Sequence, residues 1–295
     1  MESGCKKRGG IVAEVSRAVL VTGCSTGIGA ATARLLATQG YAVYATARRP
    51  ETLGSLAQAG CTTLALDIAS EASMQEAVRA VEARAGVVGI LINNAGYSQS
   101  GAMEELTPEQ VRRQFETNVF GTLRLTQLVL PGMRRQRWGR IVNVGSMGGR
   151  LTFPGGGIYH ATKYALEAMS DALRFEVRAF GIDVVLVQPG LVRTSFSDTA
   201  VGGMPAAGSA SPYATLNESV ARLTREAYVK GLLSKLAGEP QDVARVIARA
   251  LAARRPRARY RAMPMTRTLM TLRTVAPDRV WDAFLRAFYS EPRPN

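Results

Sequence analysis

Residues 18–29 read Ala18-Val19-Leu20-Val21-Thr22-Gly23-Cys24-Ser25-Thr26-Gly27-Ile28-Gly29, and this stretch decides the fold. A short apolar run, Ala18–Thr22, gives way to a glycine-rich turn, and the next segment, Gly27–Gln39, has a helical pattern. Glycines permit a tight turn and let the backbone come close to an anion. The helix that follows offers unpaired N–H groups and the positive end of its dipole at the same place. Between a first strand and a first helix, such a turn suits the pyrophosphate of a dinucleotide. Its spacing, Gly-x-x-x-Gly-x-Gly, differs from the Gly-x-Gly-x-x-Gly fingerprint.

Further apolar, β-branched runs follow at Ala42–Thr46, Thr62–Leu66, Val88–Asn93, Ile141–Val144 and Val184–Gln188. Helical patterns lie between them at Glu71–Ala85, Pro108–Arg134 and Tyr159–Phe180. Continuous apolar strands alternating with helices predict a parallel sheet covered on both faces. The expected fold is therefore α/β: a Rossmann-type, doubly wound parallel sheet in three α/β/α layers, forming one domain. Ligands of such sheets bind beyond the carboxyl ends of the strands. Residues 1–16 read as a flexible lead and residues 17–263 as the domain, with a lid over a substrate at about 195–236. Within that lid, Ala200–Ser211 is rich in Gly, Ala, Ser and Pro and reads as mobile, and Tyr213–Lys235 reads as helical. Pro240–Ala253 reads as a helix and Arg259–Met263 as a last strand. Residues 264–295 read as an extension with two short amphipathic segments.

The end of the second strand bears on cofactor choice. An acidic residue there would bond a ribose 2′-hydroxyl, whereas an arginine would pair with a 2′-phosphate. The sequence has Ala45-Thr46-Ala47-Arg48-Arg49, with no carboxylate, so Arg48 favours NADP(H). Tyr159-His160-Ala161-Thr162-Lys163 puts Tyr159 and Lys163 on one helical face. A nearby ammonium favours the phenolate and makes a tyrosine usable as an acid/base. Ser146, at the end of the strand Ile141–Val144, could bond a substrate oxygen.

Composition narrows the alternatives. The chain has 295 residues, 37 Lys and Arg against 23 Asp and Glu, a net charge of +14, three cysteines and one histidine. Cys5, Cys24 and Cys61 show no paired spacing, so neither a disulfide framework nor a metal site is expected, and a cytoplasmic location fits best. His160 stands alone, which argues against a histidine triad, and its place beside Tyr159 reads as packing. The positive charge is a solubility feature or a draw for anions, with some clustering at Arg254, Arg255, Arg257, Arg259 and Arg261. No nucleic-acid motif accompanies it, and nucleic acid is not an expected partner.

Taken together, Thr22-Gly23-x-x-x-Gly27-x-Gly29, Asp67, Asn93-Asn94-Ala95-Gly96, Asn118, Ser146, Tyr159-x-x-x-Lys163 and Pro189-Gly190 resemble the short-chain dehydrogenase/reductase family in order and spacing. The resemblance spans roughly residues 17–196. It implies Asn118, Ser146, Tyr159 and Lys163 as the catalytic set. Tyr159 would be the general acid/base, Lys163 its modulator and ribose holder, Ser146 the carbonyl anchor, and Asn118 the holder of a relay water. It implies a nucleotide site of Gly23, Ser25, Gly27, Ile28, Gly29, Arg48, Asp67, Ile68, Asn94, Ala95, Gly96, Pro189, Gly190, Val192 and Thr194, with Tyr159 and Lys163. Ser146, Met147, Gly148, Tyr159, Leu191 and Phe196 would meet the substrate.

Those pocket segments are small or apolar, which suits a hydrophobic alcohol or ketone. The stretch from Ser146 to Gly190 is similar to the branch holding 17β-hydroxysteroid and retinol dehydrogenases. It implies a steroid-, retinoid- or lipid-like substrate and a homodimer or homotetramer. A non-catalytic NADP(H) sensor or scaffold, and an epimerase or dehydratase on the same frame, are the competing readings. The C-terminal apolar residues either cover the core, join subunits or touch an anionic membrane surface.

Overall fold

The computed structural model describes residues 15–204, 211–229 and 237–292. The lead at 1–14, with Cys5, lies outside them, as do residues 205–210 and 230–236 of the expected lid. Seven parallel strands form one sheet in the order β3-β2-β1-β4-β5-β6-β7. They are β1 (Val19–Val21), β2 (Val43–Ala47), β3 (Thr62–Ala65), β4 (Ile90–Asn93), β5 (Gly139–Val144), β6 (Ile182–Gln188) and β7 (Arg259–Arg261). The strand order reverses between β1 and β4, which opens a crevice at their carboxyl ends.

Alternation along each strand sorts side chains onto two faces. Val19 and Val21, Val43 and Ala45, Ile90 and Ile92, and Val142 and Val144 face one apolar layer. That layer is closed by α1 (Gly27–Thr38), α2 (Gly54–Gln58) and α9 (Pro240–Ala252). Leu20, Tyr44, Leu91 and Ile141 face the other layer. There α3 (Glu71–Ala85), α5 (Gly121–Gln136) and α6 (Gly157–Glu176) supply Val78, Val129 and Leu173 among others. Burial on both faces explains why the strands read as unbroken apolar runs.

Several elements depart from the sequence expectation. The single helix expected over Pro108–Arg134 is α4 (Pro108–Phe115), a π-helical turn at Glu116–Phe120, and α5. Strand β5 starts two residues early, at Gly139-Arg140, because the buried Arg140 side chain finds acceptors far off in sequence. Residues 196–202 form a helix, α7 (Phe196–Gly202), reaching into the stretch read as mobile. Helix α8 (Ala214–Val229) accounts for the described part of the expected helix at 213–235. The two amphipathic C-terminal segments are α10 (Pro264–Val275) and α11 (Asp278–Arg286). Among the described residues no helix is long and apolar enough to cross a membrane.

Candidate active site

The glycine turn follows β1 directly. Gly23 and Gly27 have φ of 70° and 60°, a region costly for any residue with a Cβ. Space forbids side chains as well. A Cβ on Gly29 would lie 2.2 Å from the Gly23 carbonyl oxygen, and one on Gly23 would lie 2.9 Å from Ala95 Cα. The turn therefore packs backbone on backbone against the loop after β4. Thr22 Oγ1 accepts from the amides of Asn94 and Ala95, each at 2.9 Å, and Asn94 Nδ2 donates to the carbonyls of Thr22 and Gly23. Thr22 is a positioning residue that motif reading quoted but gave no role.

The start of α1 has no side-chain cap; Thr26 Oγ1 lies instead 3.3 Å from Ser195 Oγ. Its leading N–H groups thus remain available to an anion. Residues from the loop after β6 approach here too, with Thr194 Cγ2 3.0 Å from the Cβ position of Gly27. Val192 lies against Gly238 in an isolated bridge, so the Pro189–Thr194 loop is braced from the α9 side. Arg48 is exposed just past β2 and makes no ion pair among the described residues. With Arg113 it sits close enough to Tyr97 to offset part of the rise that burial imposes on that phenol's pKa. Asp67 Oδ1 accepts from the Ala69 amide, and buried Ile68 packs under Gly121. An uncapped helix start and a turn only glycine can make fit the pyrophosphate of a dinucleotide.

The second half of the site is built on α6. Lys163 is buried, and its Nζ donates to the Val144 carbonyl at 3.0 Å. The same Nζ lies 5.8 Å from the centre of the Tyr159 ring. Burial brings the Lys163 pKa down from 10.5 to about 8. Ser146, at the end of β5, accepts from the Gly148 amide at 3.0 Å, which leaves its O–H free to donate. The Phe196 ring meets the Tyr159 ring edge-on at 5.4 Å.

Asn118 sits in the π-helical turn. Its Nδ2 donates to Tyr97 O at 2.9 Å and Thr162 Oγ1 at 3.1 Å, and its Oδ1 accepts from Tyr97 N. Both amide hydrogens are therefore committed to holding the loop after Gly96 against α6. A π-turn of this kind breaks the regular carbonyl ladder, and such turns concentrate at functional sites.

His160 is buried and structural. Its Nε2 accepts from the Phe153 amide at 3.1 Å, so the proton is on Nδ1, which donates to Gly148 O at 3.0 Å. Burial holds its pKa below the usual 6.5. Cys24 is also inert, its thiol pushed up to about 12 by burial. Gly148 is packed beneath His160 rather than open, since a Cβ there would lie 2.6 Å from Nδ1. Beyond it, Met147, Leu151, Phe153 and Leu191 form an apolar wall with Met270, Trp281 and Phe284 of α10 and α11.

A family model described as short chain dehydrogenase matches residues 17–202. The chain belongs to the short-chain dehydrogenase family. A Bacteroides thetaiotaomicron 3-ketodihydrosphingosine reductase is 34% identical, the match covering 92% of this chain and 97% of that protein. Bovine retinol dehydrogenase 8 is 32% identical, over 90% and 88% of the two chains. Among solved structures, a Streptomyces avermitilis short-chain dehydrogenase is 34% identical with a TM-score of 0.78, covering 93% of this chain and 96% of its own. A serine dehydrogenase complexed with NADP+ is similar at 29% identity and TM-score 0.72, over 84% and 95%. A Burkholderia phymatum family member in complex with NAD is similar at 25% and 0.75, over 95% and 98%. The chain is thus an oxidoreductase of the short-chain dehydrogenase class with a nicotinamide cofactor.

Proposed function

We propose that the chain reduces or oxidises a hydrophobic carbonyl–alcohol pair with NADP(H), using Tyr159 as the acid/base. The observation that carries this reading is the buried Lys163 ammonium beneath the Tyr159 ring. Burying an ammonium is costly, and a merely structural position would more readily hold an apolar residue. Its effect is to favour the phenolate, so that Tyr159 can give up and regain a proton near neutral pH. The Ser146 hydroxyl is free to donate to the same substrate oxygen.

When bound, the nicotinamide supplies or takes the hydride. Gly23, Ser25, Gly27, Ile28 and Gly29 would hold the pyrophosphate side. Asp67, Ile68 and Asn94–Gly96 would hold the adenosine side, and Pro189, Gly190, Val192 and Thr194 the nicotinamide side. Arg48 would pair with a 2′-phosphate. Because both Nδ2 hydrogens of Asn118 are committed, a relay water near Lys163 would bind its Oδ1 or a carbonyl of the π-turn. The wall of Met147, Leu151, Phe153, Leu191 and Trp281 supports an apolar substrate, and two relatives bear names that specify a ketodihydrosphingosine and retinol.

The test is a panel of long-chain ketones, retinoids and steroids, followed by loss of reduced nicotinamide absorbance with NADPH and with NADH. Tyr159→Phe should bind cofactor as the parent does and lose turnover. A Tyr159→Phe variant that still turns over the best substrate would defeat the acid/base assignment.

A further inference from the structure

At the outer edge of the sheet, β7 and the ends of α9 and α10 enclose a concavity of about 630 Å³. Six arginines line it: Arg249, Arg255, Arg257, Arg259, Arg261 and Arg267. Tyr260 contributes the aromatic surface, and no carboxylate is present in the lining. Only Arg259 is neutralised, by Glu167 and Asp171 of α6. The other five guanidinium groups are exposed and make no ion pair among the described residues. Elsewhere on the surface, arginines 112, 124, 174, 222 and 286 each meet a carboxylate, so they serve as neutralised references for this cluster.

Five unpaired cations around one hollow repel each other, and their summed field concentrates anions there. A planar guanidinium matches phosphate oxygens in pairs, and the volume falls within the range of small-molecule sites. One phosphate would leave most of this charge uncompensated. We propose that the edge concavity binds a ligand carrying two or more phosphate groups. It is separate from the glycine turn: β7 lies four strand spacings from β1, roughly 19 Å across the sheet. Soluble polyphosphates and phosphoinositide headgroups share the recognised chemistry.

The test uses the full chain with saturating NADPH, so that the glycine turn does not compete for the probe. Tripolyphosphate is titrated calorimetrically, with sulfate as reference, at physiological ionic strength. In parallel, phosphatidylcholine vesicles with and without phosphatidylinositol bisphosphate are co-sedimented with the protein. Tripolyphosphate should bind at least about tenfold tighter than sulfate, or the bisphosphate vesicles should capture the protein. A triple variant, Arg255→Gln, Arg257→Gln and Arg261→Gln, should weaken whichever binding occurs by about tenfold or more. The double variant Arg112→Gln, Arg222→Gln should not. Response to the soluble probe alone assigns a free polyphosphate; response to bisphosphate vesicles alone assigns a headgroup. The proposal is overturned if neither probe binds, or if the triple variant binds as the parent does. Should the triple variant unfold, Arg257→Gln and Arg261→Gln are read singly, and full binding by both overturns it equally.

Discussion

Replacing Lys163 with Met separates stability from function in a way that few substitutions can. The ammonium is buried and its pKa sits at about 8 instead of 10.5. That difference corresponds to about 3 kcal/mol of cost for carrying the charge in the folded state. Methionine removes the cost, but it leaves the Val144 carbonyl without its 3.0 Å donor, worth about 1–3 kcal/mol. Net stability at neutral pH should therefore hold or rise by up to about 2 kcal/mol.

Catalysis should move the other way. A unit charge about 6 Å from a phenolate, at an effective dielectric of about 20, contributes about 3 kcal/mol, or roughly a hundredfold in rate. Parent and variant are compared by thermal unfolding at neutral pH and by kcat/KM with NADPH and the best ketone. The parent alone should gain stability as pH rises from about 8 toward 10.5, because the unfolded chain then holds the lysine proton that the folded chain has lost. A variant that melts well below the parent while keeping its kcat/KM would refute both halves of this reasoning.

Arg48→Gln should raise KM for NADPH about tenfold or more and leave KM for NADH unchanged, measured by paired cofactor titrations. Gly29→Ala drives a methyl into the Gly23 carbonyl, 2.2 Å from the ideal Cβ, and should cost at least about 2 kcal/mol in urea unfolding along with cofactor affinity. His160→Leu leaves Gly148 O and Phe153 N unpaired and should lower stability by about 2 kcal/mol in the same assay. Because burial lowers the His160 pKa, the unfolded chain takes that proton first. The parent should then lose stability as pH falls through about 6.5, and the variant should lack that component.

The parts of this fold that were legible in the sequence are those whose cause is local. Apolar runs such as Val88–Asn93 mark strands because both faces are buried, and the glycines at 23, 27 and 29 mark a turn that no side chain would fit. The Tyr159–Lys163 spacing was legible because one turn of helix puts the two residues on one side. Arg140 was not legible as strand. Its guanidinium donates to the carbonyls of Ala250, Leu251 and Ala253 at the end of α9, more than a hundred residues away. Those acceptors are the unpaired carbonyls of a helix C-terminus, where a cation is favoured. The π-turn at Glu116–Phe120 was equally hidden, since its cause is the three bonds that Asn118 makes to Tyr97 and Thr162. In each case a polar side chain is fixed by a partner that spacing alone does not reveal.

The identity of the substrate is obscured by the same kind of distance. The residues proposed to hold the cofactor and move the proton all lie before residue 202, and they say little about which carbonyl is taken. The wall that would select a substrate is completed by Met270, Trp281 and Phe284, which lie beyond that residue. Trp281 stacks on Phe284 at 5.2 Å and meets Phe153 at 6.3 Å. The Phe153 amide is held by His160, and His160 is the neighbour of Tyr159. The C-terminal helices are thus joined through Phe153 and His160 to α6, the helix that carries Tyr159. Changes in α11 should for that reason alter which carbonyl is accepted without touching the proton transfer itself, and a KM-against-kcat split is where that division of labour becomes visible.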